Sequence, residues 1–159
     1  MIRLLVVVAL TACSPTTWRT PTNAETVHID GDLVVRGESD GTTSVTVRVM
    51  IDDASATGFV RLRNADLSTA ARSKHIRLAR ARAWYALAGI VSADPNRSLR
   101  AARQGADEIR YAVRLDTRAF MLANLSVMNN NVPDAARIMT EHLQFSLRAY
   151  IRRFHDEVW

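Results

Sequence analysis

The chain has 159 residues, 48% of them hydrophobic, a formal net charge of +5 and a single cysteine. That length suits one ordinary domain, that apolar fraction excludes a disordered chain, and one cysteine excludes an intrachain disulfide. The charge is uneven: residues 14–60 carry three Arg against seven Asp and Glu, whereas residues 61–159 carry seventeen Lys and Arg against nine acids, all of the cations Arg except Lys74.

Met1 to Cys13 reads MIRLLVVVALTAC. Arg3 precedes an unbroken apolar run, Leu4 to Leu10, and Thr11 and Ala12 lead to the cysteine. A positive start, a short apolar core and small residues before a cut describe a secretory signal. The run is too short to span a bilayer, which takes about 20 residues as a helix. Leu10-Thr11-Ala12-Cys13 resembles the lipobox of bacterial lipoproteins. The resemblance implies that residues 1–12 are a signal peptide, that Cys13 is lipidated on sulfur and begins the mature chain, and that the protein is held in the cell envelope by its acyl chains. Each buried CH2 of such an anchor contributes about 0.8 kcal/mol. Ser14, where an Asp would favour the inner membrane, implies the outer membrane, with the domain facing the periplasm. Residues 13–24 then form the acylated cysteine and a tether rich in Ser, Pro and Thr, without apolar periodicity. Trp18 in that stretch suits either a lipid interface or the domain surface.

Residues 25–63 read as a small β region. Val27 and Ile29 alternate with polar neighbours, and Asp30-Gly31 suits a tight hairpin turn. Leu33 to Val35 form the next short run, and Glu38-Ser39-Asp40-Gly41 is a second turn signal. Val45, Val47, Val49 and Ile51 then fall on one face, with Thr46, Arg48 and Met50 on the other, which predicts a strand. Asp52 to Gly58 is expected to be a loop. Phe59 to Arg63 reads as an edge strand whose arginines discourage aggregation. A meander of this size needs a cover for its apolar face.

Residues 64–159 supply that cover. Ile76, Ala79, Ala83, Leu87 and Ile90 are spaced 3, 4, 4 and 3, a helical stripe, with Asp66 or Ser68 as its cap. Asp94-Pro95 ends that helix and opens another, Asp94 as N-cap and Pro95 as first helical residue. Leu99, Ala102, Ala106, Ile109 and Val113 form its seam, where small residues, with Gly105 nearby, let a partner approach closely. Asp116 is expected to cap a shorter helix bearing Met121, Leu125 and Met128, and Asn129 to Asn131 to break it. Pro133 and Asp134 open the last helix, whose stripe of Ala136, Met139, Leu143, Leu147, Tyr150, Phe154 and Val158 runs to the C-terminus. The fold class expected is α+β: an antiparallel meander, then a bundle of about four antiparallel helices.

The segments Tyr111 to Asp116, Ala123 to Ser126 and Pro133 to Ala136 resemble the joints and helix starts of tetratricopeptide repeats. Trp84 to Leu87 with Leu99 to Ala102 is similar to a preceding degenerate copy. The resemblance implies two helical hairpins; a plain four-helix packing gives the same periodicity.

Arg100, Arg103, Arg110 and Arg114 lie 3, 7 and 4 apart with Asp107 among them. They read either as a solvated flank laced by neighbouring charges or as a ridge for anions or an acidic partner. His28, Asp30 and Asp32 alternate as metal ligands would on a straight strand, but Asp30-Gly31 turns the chain and scatters them, so no metal site is expected. Glu141-His142 and His155-Asp156-Glu157 hold acid and base types without a second cluster at a telling spacing. There is no HExxH, GxSxG or glycine-rich phosphate loop, and an acylated Cys13 leaves no thiol nucleophile. No catalytic residue and no cofactor is expected. Trp84, Tyr85, Tyr150, Phe154 and Trp159 suit core packing or a groove for a partner helix.

These readings converge on a lipid-anchored envelope protein acting as a non-catalytic adaptor or assembly factor. Its partners would be the membrane, through the anchor, and an envelope protein, with nucleic acid excluded by export. The alternatives are an envelope-active enzyme, for example on peptidoglycan, and a binder of anionic lipid or glycan through the Arg-rich half, whose affinity would fall with salt.

Overall fold

A computed structural model of the chain describes residues 26–30, 32–38, 40, 42–62, 69–110, 117–153 and 157–158. The strands are β1 (Thr26–Asp30), β2 (Leu33–Gly37), β3 (Thr43–Ile51) and β4 (Ala54–Leu62). Four helices follow: α1 (Thr69–Ile90), α2 (Pro95–Ile109), α3 (Thr117–Met128) and α4 (Val132–Arg153). A short β5 (Glu157–Val158) returns to the sheet. The architecture is α+β, an antiparallel meander followed by a four-helix bundle, as the change of period from two to about 3.6 implied.

The sheet runs β1-β2-β3-β4-β5. Its alternation is the one read from the sequence. Val45, Val47, Val49 and Ile51 of β3 are buried, with Leu33 and Val35 of β2 and Val60 and Leu62 of β4 beside them. The second turn is closed by Asp40. Its carboxylate accepts hydrogen bonds from the Thr42 amide at 3.1 Å and hydroxyl at 2.6 Å and meets Arg61 at 2.9 Å. Those hydrogen bonds from Thr42, helped by the Arg61 charge, hold the Asp40 carboxyl below its ordinary range.

The predicted loop over Asp52 to Gly58 is a strand instead. β3 and β4 pair in continuous register from Thr43↔Leu62 to Ile51↔Ala54, leaving two residues for the turn. Asp52 takes the left-handed conformation, φ 54°, that such a tight connection requires. Asp tolerates that region better than most residues, and so the turn needs no glycine.

Gly58, the last residue of the expected loop, serves the packing instead. It lies in β4 under α1, where an added Cβ would come within 2.0 Å of the Ala79 carbonyl oxygen and 2.4 Å of the Ala83 amide. With Ala79 and Ala83 both fully buried, helix and strand meet backbone to backbone. α1 is therefore enclosed on two sides. One side faces the sheet, and Trp84 faces α2 beside Gly105. Ile90, read as the end of the α1 stripe, is 62% exposed, since the helix stops there and the buried side passes to Val91.

α2 begins as predicted. The Asp94 carboxylate accepts from the amides of Asn96 at 3.0 Å and Arg97 at 3.2 Å, and Pro95 is the first helical residue. Leu99, Ala102, Ala106 and Ile109 are buried between α1 and α4. Gly105 admits Leu143 of α4, whose Cδ2 lies 2.5 Å from where a Cβ would stand. The helices form two hairpins, α1–α2 and α3–α4, joined mainly through α2 and α4. The Asn129 to Asn131 break both ends α3 and starts α4: Asn130 is left-handed, φ 56°, and the Asn131 side chain accepts from the Asp134 amide at 3.3 Å.

The last helix ends at Arg153, short of the stripe drawn to Val158. Glu157 and Val158 pair with Leu62 and Arg61 as a fifth strand. Val158 stands at helical spacing from Leu147 and Tyr150, which mimics continuation of the helix. The expected caps Asp66, Ser68 and Asp116, and Val113, Phe154 and Trp159, lie outside the described residues.

Candidate functional site

The feature that most departs from the sequence reading is α3. Its sequence, TRAFMLANLSVM, carries one charge, Arg118. Met121, Leu125 and Met128 are the apolar residues the sequence reading places along it. They point outward, 64%, 51% and 80% exposed, with Leu122 at 44%. The residue turned fully inward is Ala123, and Phe120 packs partly buried against the core. The reason lies in the pairing. α3 rests essentially on α4 alone, so a narrow strip around Phe120 and Ala123 is all the bundle covers. A helix with eight apolar residues among twelve carries two candidate stripes, and spacing alone does not say which turns inward.

α4 extends the same surface. Phe145 stands 71% exposed, and with Leu122, Ala119 and Ile138 it lines a groove of about 440 Å³ between α3 and α4. Beneath the groove His142 is buried, its ring edge-on to Phe120 at 5.5 Å. Glu141 at the rim is held by Arg137, which also binds Asp134, at 3.0 and 2.6 Å. Hydrogen bonds from Arg137 and then Ser126 hold the Asp134 carboxyl below its ordinary range, and the two acids raise Arg137 in turn. Glu141 and His142 are adjacent in sequence but face different surroundings, one an exposed ion pair and the other an aromatic contact. A second depression, about 300 Å³, lies between the α1–α2 turn and α4, lined largely by apolar atoms of Ala88, Pro95, Pro133 and Ala136.

The four arginines of the predicted ridge are not gathered on one anion. Arg100 bridges to Asp52 of the β3–β4 turn at 3.0 Å, Arg103 donates to Asn124 of α3 at 2.7 Å, and Arg110 meets Asp107 at 3.4 Å. Arg114 lies outside the described residues. The sequence reading passed over Arg97, which binds that turn most closely. It donates to the Ile51 carbonyl at 3.0 Å and to Asp53 at 2.6 Å, and it lies 3.4 Å from Asp52. The hydrogen bond from Arg97 holds the Asp53 carboxyl below its ordinary range. The acid pair Asp52-Asp53, followed 44 residues later by an arginine at a helix start, gave no periodic signal to find it by.

Tyr150 is core, 1% exposed, with its hydroxyl donating to the Lys74 carbonyl at 3.1 Å; Trp84 and Tyr85 also pack against the core. The strand positions His28 and Asp30 are separated by an irregularity in register, and Asp32 sits on the turn, so the three do not alternate along one straight strand. Among the described residues no three His, Cys, Asp or Glu are grouped to hold a metal ion, and no helix is long and apolar enough to cross a membrane. Cys13 lies outside the described residues.

Comparison of the chain with models of protein families, with curated proteins and with solved structures finds no match.

Proposed function

We propose that the chain is a lipid-anchored, non-catalytic adaptor or scaffold of the bacterial cell envelope that takes a protein on the outer face of α3. The observation that carries this reading is the cluster of exposed Met121, Leu122, Leu125, Met128 and Phe145 on the α3–α4 hairpin. Single exposed apolar residues are ordinary, but contiguous ones mark interaction surfaces. Methionines suit such a face because their unbranched side chains repack against different partners. The location comes from the lipobox-like Leu10-Thr11-Ala12-Cys13, with Cys13 as the lipidated residue and the domain facing the periplasm from the outer membrane. The arginine ridge supports the anion-binding alternative less well, because Arg100, Arg103 and Arg110 are engaged with neighbours in the fold.

The test places a photo-crosslinking residue at Met128 of the full chain in the native envelope, beside the same substitution at Thr57 on the sheet. A protein adduct at position 128 and none at 57 is expected. Cys13→Ala should release the chain from membranes. An adduct-free position 128 overturns the docking surface, and membrane retention of Cys13→Ala overturns the anchor.

A further inference from the structure

Arg61, Arg97, Arg100, Arg110 and Arg137 are each answered by a carboxylate of the fold. Arg148 and Arg152 of α4 are not. Both are exposed, and neither has an ion pair or a side-chain hydrogen bond among the described residues. They stand one turn apart, where like charges repel along a helix, and α4 has no acid from Gln144 to its end at Arg153. The negative end of the helix dipole accounts for a cation in the last turn, as at Arg152, but not for Arg148. Phe145, 71% exposed, precedes them by three and seven residues, so all three share the side of α4 opposite Leu143 and Tyr150. Leu122 and Ile138 adjoin Phe145 in the groove. We propose that this side of α4 rests on a bilayer of anionic phospholipid, with Arg148 and Arg152 on headgroup phosphates and Phe145 among the upper acyl carbons.

Charge selects the occupant. Two guanidinium groups without carboxylates call for anions, and the exposed phenyl ring beside them calls for hydrocarbon at the same place. Anionic headgroups over acyl chains supply both in one layer. Neither arginine lines the groove, so an acidic peptide seated there would leave both unanswered, whereas a plane of phosphates meets them on the outer side of the helix. With the anchor proposed above, residues 13–25 hold Thr26 within roughly 45 Å of the membrane, so the bilayer is always in reach of the domain. The inference goes beyond the adaptor reading: it gives Phe145 to lipid and leaves Met121, Leu125 and Met128 of α3 to a protein.

The experiment uses the full chain with Cys13→Ser and Phe145→Cys, the new thiol carrying an apolar, environment-sensitive dye in place of the phenyl ring. Vesicles of mixed phosphatidylglycerol and phosphatidylcholine are expected to shift the dye's emission to the blue. Vesicles of phosphatidylcholine alone, inorganic phosphate and soluble polyglutamate are expected to leave it in place, as is any of these probes with the dye at Thr57→Cys on the sheet. Arg148→Gln with Arg152→Gln, both at exposed positions, should raise the lipid concentration for half-maximal shift about 25-fold with unchanged helical circular dichroism. No shift at position 145, an equal shift on phosphatidylcholine or at position 57, or an unchanged midpoint in the double variant overturns the proposal. A shift with polyglutamate and none with vesicles also overturns it, in favour of an acidic protein. The adaptor reading is tested separately, by the crosslink at position 128, and stands or falls without this result.

Discussion

Gly58, Gly105 and Gly89 show how much one missing carbon decides. At Gly58 the nearest atoms to a new Cβ are backbone, 2.0 and 2.4 Å away, and neither strand nor helix yields without moving its whole length. Gly58→Ala is expected to cost at least the 1–3 kcal/mol typical of overpacking, roughly, in urea unfolding. At Gly105 the nearest atom is the tip of Leu143, which has other rotamers, and alanine gains about 1 kcal/mol of helix propensity. Gly105→Ala should therefore destabilise less than Gly58→Ala. Gly89 has no neighbour within 4 Å, so Gly89→Ala should stabilise, by up to about 1 kcal/mol. The order 58, 105, 89 in cost is the outcome that checks the packing. Charge at the β3–β4 turn gives a second test. Asp53 has a lowered pKa through its hydrogen bond from Arg97, so its contribution is present above the ordinary value near 3.8 and is lost as pH falls through the lower folded value. Hydrogen exchange of the turn amides should accelerate over that acid range in the native chain, and should show no such step in Asp53→Asn.

Elements were legible where one periodic signal stood alone. β3 alternates without interruption, and the four apolar residues read on one face, Val45, Val47, Val49 and Ile51, are all buried. The Asp94-Pro95 start of α2 was equally plain, because a capping carboxylate and a proline without an amide proton suit only that position. Asp94→Ala should lower stability by about 1 kcal/mol and fray the first turn of α2, read as faster exchange at Asn96 and Arg97. Gly58 hid the strand it belongs to, because a glycine inside a run of Ala, Ser and Thr looks like a loop until the helix above it is known. α3 failed in the opposite way. Its apolar residues were seen, but two stripes competed, and the choice between them was made by α4. The losing stripe is the candidate docking surface, on a helix with one charge in twelve residues.

At the scale of the molecule, β-strand and helical residues share one apolar core. Buried Val45, Val60 and Leu62 belong to the same cluster as Leu87, Ile109 and Leu143. Helical and sheet signals should therefore disappear in a single coincident transition on denaturation, and separated transitions would show that the halves fold apart. The Tyr150 hydroxyl on the Lys74 carbonyl and Arg82 on the Phe59 carbonyl at 2.7 Å stitch the layers at their edges. The pairing of β5 with β4 carries a kinetic consequence. Leu62 finds Glu157 only about 95 residues later in the chain. During synthesis the β4 margin must wait, unzipped, until residues 157 and 158 have emerged, and closing so long a loop is slow relative to winding the helices between. Refolding should accordingly reach full helicity before the amides shared between β4 and β5 gain protection.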